Sequence, residues 1–397
     1  MTAIGTRPAR AMSPPRRQSV GERLLDRESP IWRLDWVLLA AVIGLCVLGT
    51  VCVWGATRPA LLAAGEDPNS YLKKNILNII IGVLLGFGAA IIDYRTLRAY
   101  TPIVYLASII ALLAVFGIGS TINGSHSWIK LGAGFELQPS EFAKVAVIVG
   151  MAMLLGQERD NETRPHTSDI VAALAVAAVP MLLILLQPDL GTAMVLTIVI
   201  LGMVGLSGAP TKWLLGLIVI GLLGAFLVVK LHLLHGYQLE RFKAFAHPNQ
   251  HGSTFGYNTQ QARIAIGHGG LLGQGLFHGS QTNGGFVPEQ STDFVFTVAG
   301  EELGFIGAGA IIVLTGIVLW RATRIAARAE DAFGRLVAVG IVCWFAFQAF
   351  ENIGMTLGIM PVTGLPLPFV SYGGSSMFAD MIGIGLLQNV HMRTQRL

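Results

Sequence analysis

Apolar residues in this chain gather in long runs separated by short polar breaks. Runs of roughly 18–25 residues suit a helix that crosses a ~30 Å hydrocarbon core. Ten such spans are expected, at about 36–56, 75–92, 101–119, 140–157, 169–187, 190–207, 213–233, 294–320, 333–357 and 369–390. Most are apolar on every face. They are therefore predicted to be helices in lipid, where a backbone N–H or C=O cannot be left without a partner. Only Gln187-Pro188-Asp189 separates spans five and six, and merging them would give nine spans and an external C-terminus.

The largest interruption runs from about Leu234 to Asp293. It is rich in Gly, His and Gln and carries Arg241, Tyr257, Gln260, Gln261, Arg263, Gln281, Glu289, Thr292 and Asp293. Connections are usually only a few residues long, so a long polar one between two spans is a candidate functional surface. The expected fold is an all-α polytopic membrane bundle of about ten transmembrane helices. A large extracytoplasmic loop, 234–293, joins helices seven and eight. Residues 1–33 are expected to be a disordered cytoplasmic tail, 34–392 a single transmembrane domain and 393–397 a cytoplasmic tail.

Composition agrees with this pattern. Apolar residues make up 53% of the chain, charged residues 13%, and mean hydropathy is +0.63. A soluble domain usually carries about 25% charged residues. Placing both termini in the cytoplasm puts most of the 27 basic residues inside, as the positive-inside rule requires. The net charge of +4 then reflects orientation. No basic patch interleaved with aromatics points to nucleic acid. Cys46, Cys52 and Cys343 all fall within spans and read as small core residues. His268 and His278 lack zinc-ligand spacing, and no phosphate-binding loop or nucleophile elbow is present.

With this topology four polar segments share the outer side: Asn123–Lys144, Gln187–Thr192, Tyr237–Asp293 and Pro361–Ser376. Ser140 is a candidate N-cap for span four. Glu141 and Lys144, spaced i,i+3, share a helix face. They are either a helix-start ion pair or a charged pair facing a cavity, since intramembrane charge is costly and often functional. Asp189 is a candidate N-cap that can also border a substrate groove, with Gln187 beside it. Asp293 stands where the polar loop meets an apolar span. It is either an N-cap or a general base whose pKa partial desolvation raises. Gly364–Ser376 breaks the helix before span ten and offers Ser371, Tyr372 and Ser375, with glycines that permit close backbone approach. Glu351, Asn352 and Asp380 read chiefly as helix-to-helix hydrogen bonders.

Together these segments resemble the SEDS family, the shape, elongation, division and sporulation proteins typified by RodA, FtsW and SpoVE. The markers are Gln138-Pro-Ser-Glu-Phe-Ala-Lys144, Gln187-Pro-Asp-Leu-Gly-Thr192, Gln261-Ala-Arg-Ile-Ala-Ile-Gly267, Pro288-Glu-Gln-Ser-Thr-Asp-Phe294, Glu301-Glu302-Leu-Gly304 and Pro368-Phe-Val-Ser-Tyr-Gly-Gly-Ser-Ser376. Any one is a modest signal, and all six in order are specific. Asn352-Ile-Gly-Met355 and Pro361–Pro368 look like the elongation, or RodA, branch.

The resemblance implies a peptidoglycan glycosyltransferase in the bacterial inner membrane that polymerises lipid II at the outer leaflet and releases undecaprenyl diphosphate. It implies work beside a class B penicillin-binding protein, with lipid II, undecaprenyl-linked glycan and membrane lipid as the other partners. Carried over by motif, the catalytic Asp falls on Asp293, and the important acid and base of span four on Glu141 and Lys144. The expected substrate-binding residues are Arg241, Gln187, Asp189, Tyr257, Gln281, Glu289, Thr292, Ser371, Tyr372 and Ser375. No metal ligands are assigned. A divalent cation, Mg or Mn, is compatible with the reaction, but the sequence does not show one. Two departures stand out: many relatives carry an Arg near Ser125–Ser127, just before Trp128, where this chain has none, leaving His126, Lys130 or Arg241 to take its place, and Ser291 stands where many relatives carry His. The rival readings are a lipid II flippase, a scaffold that activates a penicillin-binding protein, and the division or sporulation branch of the same family.

Overall fold

The computed structural model describes residues 33–92, 94–122, 125–132, 135–157, 164–231, 236, 241, 245 and 254–394. The expected N-terminal tail up to residue 32, most of 232–253 and the last three residues of the C-terminal tail lie outside the described residues.

Thirteen helices are present among the described residues, and the apolar runs account for the long ones. They are α1 (Trp36–Ala64), α2 (Ser70–Ile91), α3 (Tyr94–Ile118), α4 (Pro139–Leu155), α5 (Thr167–Leu186), α6 (Leu190–Leu206) and α7 (Thr211–Lys230). After these come α8 (Thr254–Gly269), the short α9 (Ser280–Asn283), α10 (Val295–Glu302), α11 (Gly304–Arg328), α12 (Ala332–Leu357) and α13 (Gly374–Thr394). Seven of them, α1, α2, α3, α5, α7, α11 and α12, are long and apolar enough to cross a membrane. Two of the expected spans, α4 and α6, have only 17 residues each. In α4 nearly every side chain is buried by other helices, so its apolar character serves packing.

Side chains such as Leu84, Phe87, Ile103, Leu186 and Ile220 are 60–69% exposed. Contiguous apolar surface on this scale suits contact with lipid tails. In lipid, helices associate through close packing and hydrogen bonds. Helix α2 meets α13 in this way: a Cβ on Gly385 would lie 2.1 Å from the Gly86 carbonyl oxygen. Helix α4 packs between α3, α5 and α12, while α11 lies along α1 and α12. Helix α7 packs on α6, and no residue of its apolar stretch is buried.

Four expectations need correction. Span eight is not one helix: α10 and α11 are separated at Leu303–Gly304, where Gly304 has φ +66. A side chain at Gly304 would strike the Gly273 backbone, so a close crossing sets the break. The helix of span ten begins at Gly374 instead of about 369, after the expected break, an irregular Pro361–Gly373 segment. A small antiparallel sheet interrupts the helical bundle. Its strands are β1 (Ser120–Ile122), β2 (Ser125–Gly132) and β3 (Phe135–Leu137), in the order β1-β2-β3, with Ile129 opposite Leu137. Finally, Gln138 is the N-cap of α4 and Pro139 its first residue, so Ser140 lies inside the helix. Spans five and six stay separate: the chain turns at Gln187–Asp189, and Asp189 caps α6 by accepting the Thr192 N–H at 3.0 Å.

Candidate active site

The four polar segments meet at one cavity of about 200 Å³. The β-sheet connection contributes Ser127, Trp128, Glu136 and Gln138, and the α5–α6 turn contributes Pro188, Asp189 and Leu190. The long connection supplies Arg241, Glu289, Thr292 and Asp293. The α12–α13 connection supplies Thr363, Gly364, Pro366 and Tyr372–Ser376, apart from Gly374.

Asp293 does not cap α10. Phe294 occupies the cap position and no side chain caps there, which leaves the Asp293 carboxylate to the cavity. Gly364 makes room for it: with φ +79, a Cβ at this position would stand 3.2 Å from Asp293 Oδ2 and 3.9 Å from the Arg241 guanidinium. Burial raises the Asp293 pKa most, and the negative Glu289 raises it further. Arg241 and a hydrogen bond from Thr292 oppose the rise, and the outcome is about 6. The carboxylate is thus more basic than usual yet largely ionised at neutral pH, as a general base needs. Glu289 is exposed at the rim in left-handed backbone, φ 54, and accepts a hydrogen bond from Thr292 Oγ1 at 3.2 Å.

Arg241 donates through Nη1 to the Thr363 carbonyl at 2.8 Å, which pins the cation to the cavity wall. Asp189 Oδ2 accepts from Gln138 Nε2 at 3.1 Å, Ser140 Oγ at 3.2 Å and Thr192 Oγ1 at 2.8 Å. Asp189 caps α6 and also borders the cavity. Ser375 lines the cavity, but its hydroxyl is engaged: it accepts from the Gln138 N–H and donates to the Glu136 carbonyl. The Tyr372 ring packs on Tyr71 with centroids 5.0 Å apart.

The remaining predicted catalytic or substrate-binding positions are placed elsewhere. Glu141 and Lys144 are buried beneath the cavity as an ion pair at 2.9 Å and do not line it. Lys144 also donates to Gln348 Oε1 at 2.9 Å and lies 4.6 Å from the Trp344 ring centroid. Of the two sequence readings, the structure shows an ion pair, and a buried one. Gln187 is buried and ties the α5–α6 turn to α3 by donating to the Leu112 carbonyl at 2.8 Å. Tyr257 is exposed on α8, and Gln281 has its backbone N–H bonded to Glu301 at 2.7 Å. Neither lines the cavity. Ser371 is buried behind the wall, with its hydroxyl directed to backbone. The side chain of His126 lies outside the described residues, and exposed Lys130 is not part of the lining.

Sequence reasoning missed Glu136, Thr363 and Gly364 as wall residues. A signal for Gly364 was present, since a Gly between prolines in a broken helix marks a special backbone conformation. Four carboxylates line the cavity, Glu136, Asp189, Glu289 and Asp293. Yet among the described residues no three acidic, His or Cys side chains converge as a metal-binding group.

Beside the polar cavity lies an apolar groove of about 700 Å³ between α2, α3, α4 and α13. The two share one strap of chain: Glu136 and Gln138 line the cavity, whereas Leu137 and Pro139 line the groove. Adjacent polar and apolar chambers suit an amphipathic lipid.

The fold and site define a multi-pass membrane protein with a carboxylate-bearing cavity next to a lipid-sized groove. A family model described as a cell cycle protein, covering FtsW, RodA and SpoVE, matches residues 36–396. The probable peptidoglycan glycosyltransferase FtsW of Trichlorobacter lovleyi is 37% identical over 90% of this chain and 92% of its own. The peptidoglycan glycosyltransferase MrdB of Escherichia coli K12 is 35% identical over 92% of this chain and 95% of its own. Among solved structures, a chain from work on polymerization and crosslinking by a peptidoglycan synthase complex superposes with TM-score 0.75. It has 30% identity and covers 92% of this chain and 99% of its own. This chain belongs to the FtsW/RodA/SpoVE family, the SEDS proteins.

Proposed function

We propose that this SEDS-family glycosyltransferase polymerises lipid II into glycan at the outer leaflet, with Asp293 as general base. The observation that carries this reading is the alternation along the Glu136–Pro139 strap. Glu136 and Gln138 face a polar cavity holding Asp293, and Leu137 and Pro139 face an apolar groove. A sugar diphosphate on a polyprenyl tail needs both chambers. In the reaction, the 4-hydroxyl of the acceptor N-acetylglucosamine attacks the anomeric carbon of the donor N-acetylmuramic acid. Asp293 takes the hydroxyl proton as the new C–O bond forms. The bond to the diphosphate oxygen breaks with inversion, and undecaprenyl diphosphate leaves with the electron pair. Arg241, at the cavity wall, offsets its developing negative charge. In this reading Lys144, buried in its pair with Glu141 and outside the cavity lining, has a structural role.

The reading extends to a class B penicillin-binding protein as partner, to a bacterial inner-membrane location and to cytoplasmic termini. The elongation branch rests on Asn352–Met355 and Pro361–Pro368, while the T. lovleyi relative carries the division-protein name. Rescue of an elongation-defective strain, and not of a division-defective one, is the expected outcome, and the opposite result reassigns the branch. The test of the chemistry is polymerisation of purified lipid II by the chain together with its penicillin-binding partner, whose own chemistry is blocked. Wild type should make polymer and Asp293→Asn about 10²–10⁴-fold less. Lipid II translocation in liposomes without any polymer would instead favour a flippase.

A further inference from the structure

Three consecutive carbonyls lead to the Asp293 side chain, and each is held by a donor from outside its own segment. The Ser291 carbonyl accepts the Tyr372 N–H at 2.8 Å. The Thr292 carbonyl accepts the Ser371 hydroxyl. The Asp293 carbonyl accepts Asn352 Nδ2 at 2.8 Å. Chance contact does not usually satisfy three successive carbonyls from two other elements, and backbone segments outside helices must find such partners when buried.

The donors are themselves fixed. Asn352, fully buried on α12, also donates to the Leu365 carbonyl at 2.7 Å, so one amide clasps both segments. Ser371 Oγ accepts the Leu367 N–H at 2.8 Å. One turn before Asn352, Gln348 donates to the Pro366 carbonyl at 2.9 Å and accepts from Trp344 Nε1 and Lys144 Nζ. Gln348 and Asn352 are spaced i,i+4, so both project from one face of α12 onto Leu365–Pro366. A continuous set of bonds thus runs from the buried Glu141–Lys144 pair, through Gln348 and the α12–α13 connection, to the backbone of Asp293.

We infer that Asn352 and Ser371 are positioning residues for the transfer reaction, which hold Ser291–Asp293 as a rail and fix where the Asp293 carboxylate meets the acceptor hydroxyl. This inference rests on Asp293 being the general base. Neither residue lines the cavity, which places both to act through Asp293. The rail also explains why polar residues occupy the buried interior of α12, where an apolar side chain would pack as well but would leave the Leu365 and Asp293 carbonyls unheld.

The test compares wild type with Ser371→Ala, Ser371→Thr, Asn352→Ala and Asp293→Asn, each purified with the blocked penicillin-binding partner and assayed on lipid II across pH 5 to 8. Loss of the rail should lower kcat by about 100-fold for each Ala variant, the scale set by a 1 Å misplacement, with KM nearly unchanged. Ser371→Thr keeps the hydroxyl and should recover most of the rate. The acid limb of the pH profile should move in the Ala variants. The groups that face Asp293 and set that limb are Glu289 and Arg241, with Glu136 and Asp189 on the same cavity wall, and none of them is altered. In the Asp293→Asn background, adding Ser371→Ala should cause no further loss. If Asn352→Ala fails to fold, the Ser371 pair still decides. A wild-type rate and pH profile in Ser371→Ala would overturn the inference, as would a loss confined to KM, which would make Ser371 a substrate contact. Full polymerisation by Asp293→Asn would instead overturn the reading on which the rail depends.

Discussion

Two charged regions of this molecule look alike in sequence and differ in the fold. The first is the Glu289–Asp293 wall, where carboxylates open on a cavity opposite Arg241. The second is Glu141–Lys144, a charged pair at a helix start with 0–1% exposure, enclosed by Trp344 and Gln348. Both place a carboxylate at the border of an apolar run. Only the first has space beside it. An acid that opens on a cavity is placed to exchange a proton with a substrate, whereas the buried pair meets only its protein neighbours.

The sharpest way to break this distinction is Asp293→Asn. It should cut polymerisation by about 10²–10⁴-fold, the usual worth of a positioned general base, with thermal stability unchanged. Lys144→Ala attacks the other region and should show the opposite signature. Removing one member strands Glu141 as a buried unpaired charge, at a cost of about 3–5 kcal/mol in stability. The loss of activity should follow the loss of folded protein, read as a lowered Tm in detergent. Gly364→Ala tests how tightly the first region is shaped. Its left-handed backbone, φ +79, strains any Cβ, and that Cβ would crowd Asp293 Oδ2. The strain alone is worth about 1–2 kcal/mol, and kcat should fall about tenfold. The smallest effect is in pH. Because Asp293 is raised to about 6 and works deprotonated, kcat/KM should climb with pH and reach half its plateau near 6. A profile flat down to pH 4.5 would remove Asp293 from the rate law.

The helices were legible because lipid leaves a strong compositional trace: α4, α5, α6, α7 and α12 begin and end near the apolar runs that predicted them, while α1 runs on to Ala64, well past its expected end near 56. The convergence of four distant polar segments was legible too, since they were expected on one side and they do line one cavity. What stayed hidden depends on contacts. The break at Gly304 is made by the backbone near Gly273, far back in the chain, and an apolar run carries no mark of it. The β1–β3 sheet is built from strands of 3, 8 and 3 residues, too short for a clear alternation. Glu141 and Lys144 could not be separated from the cavity residues, because spacing along α4 gives their shared face but not what covers it. The surroundings of Ser371 were hidden for the same reason: a Ser in a glycine-rich break suggests a ligand, and its bond to the Thr292 carbonyl is made with a distant segment.

The most direct measurement sets the two regions against each other in one assay. Polymer formed from lipid II by Asp293→Asn is compared with polymer formed by Glu141→Gln/Lys144→Met, which removes both buried charges together and strands neither. Catalysis at the cavity predicts that the single change abolishes polymer in a folded protein, while the double variant keeps activity within about tenfold, since a buried ion pair can often be replaced by neutral side chains of similar size. Polymer from Asp293→Asn, with none from a folded Glu141→Gln/Lys144→Met protein, would place the chemistry at the buried pair and contradict the account.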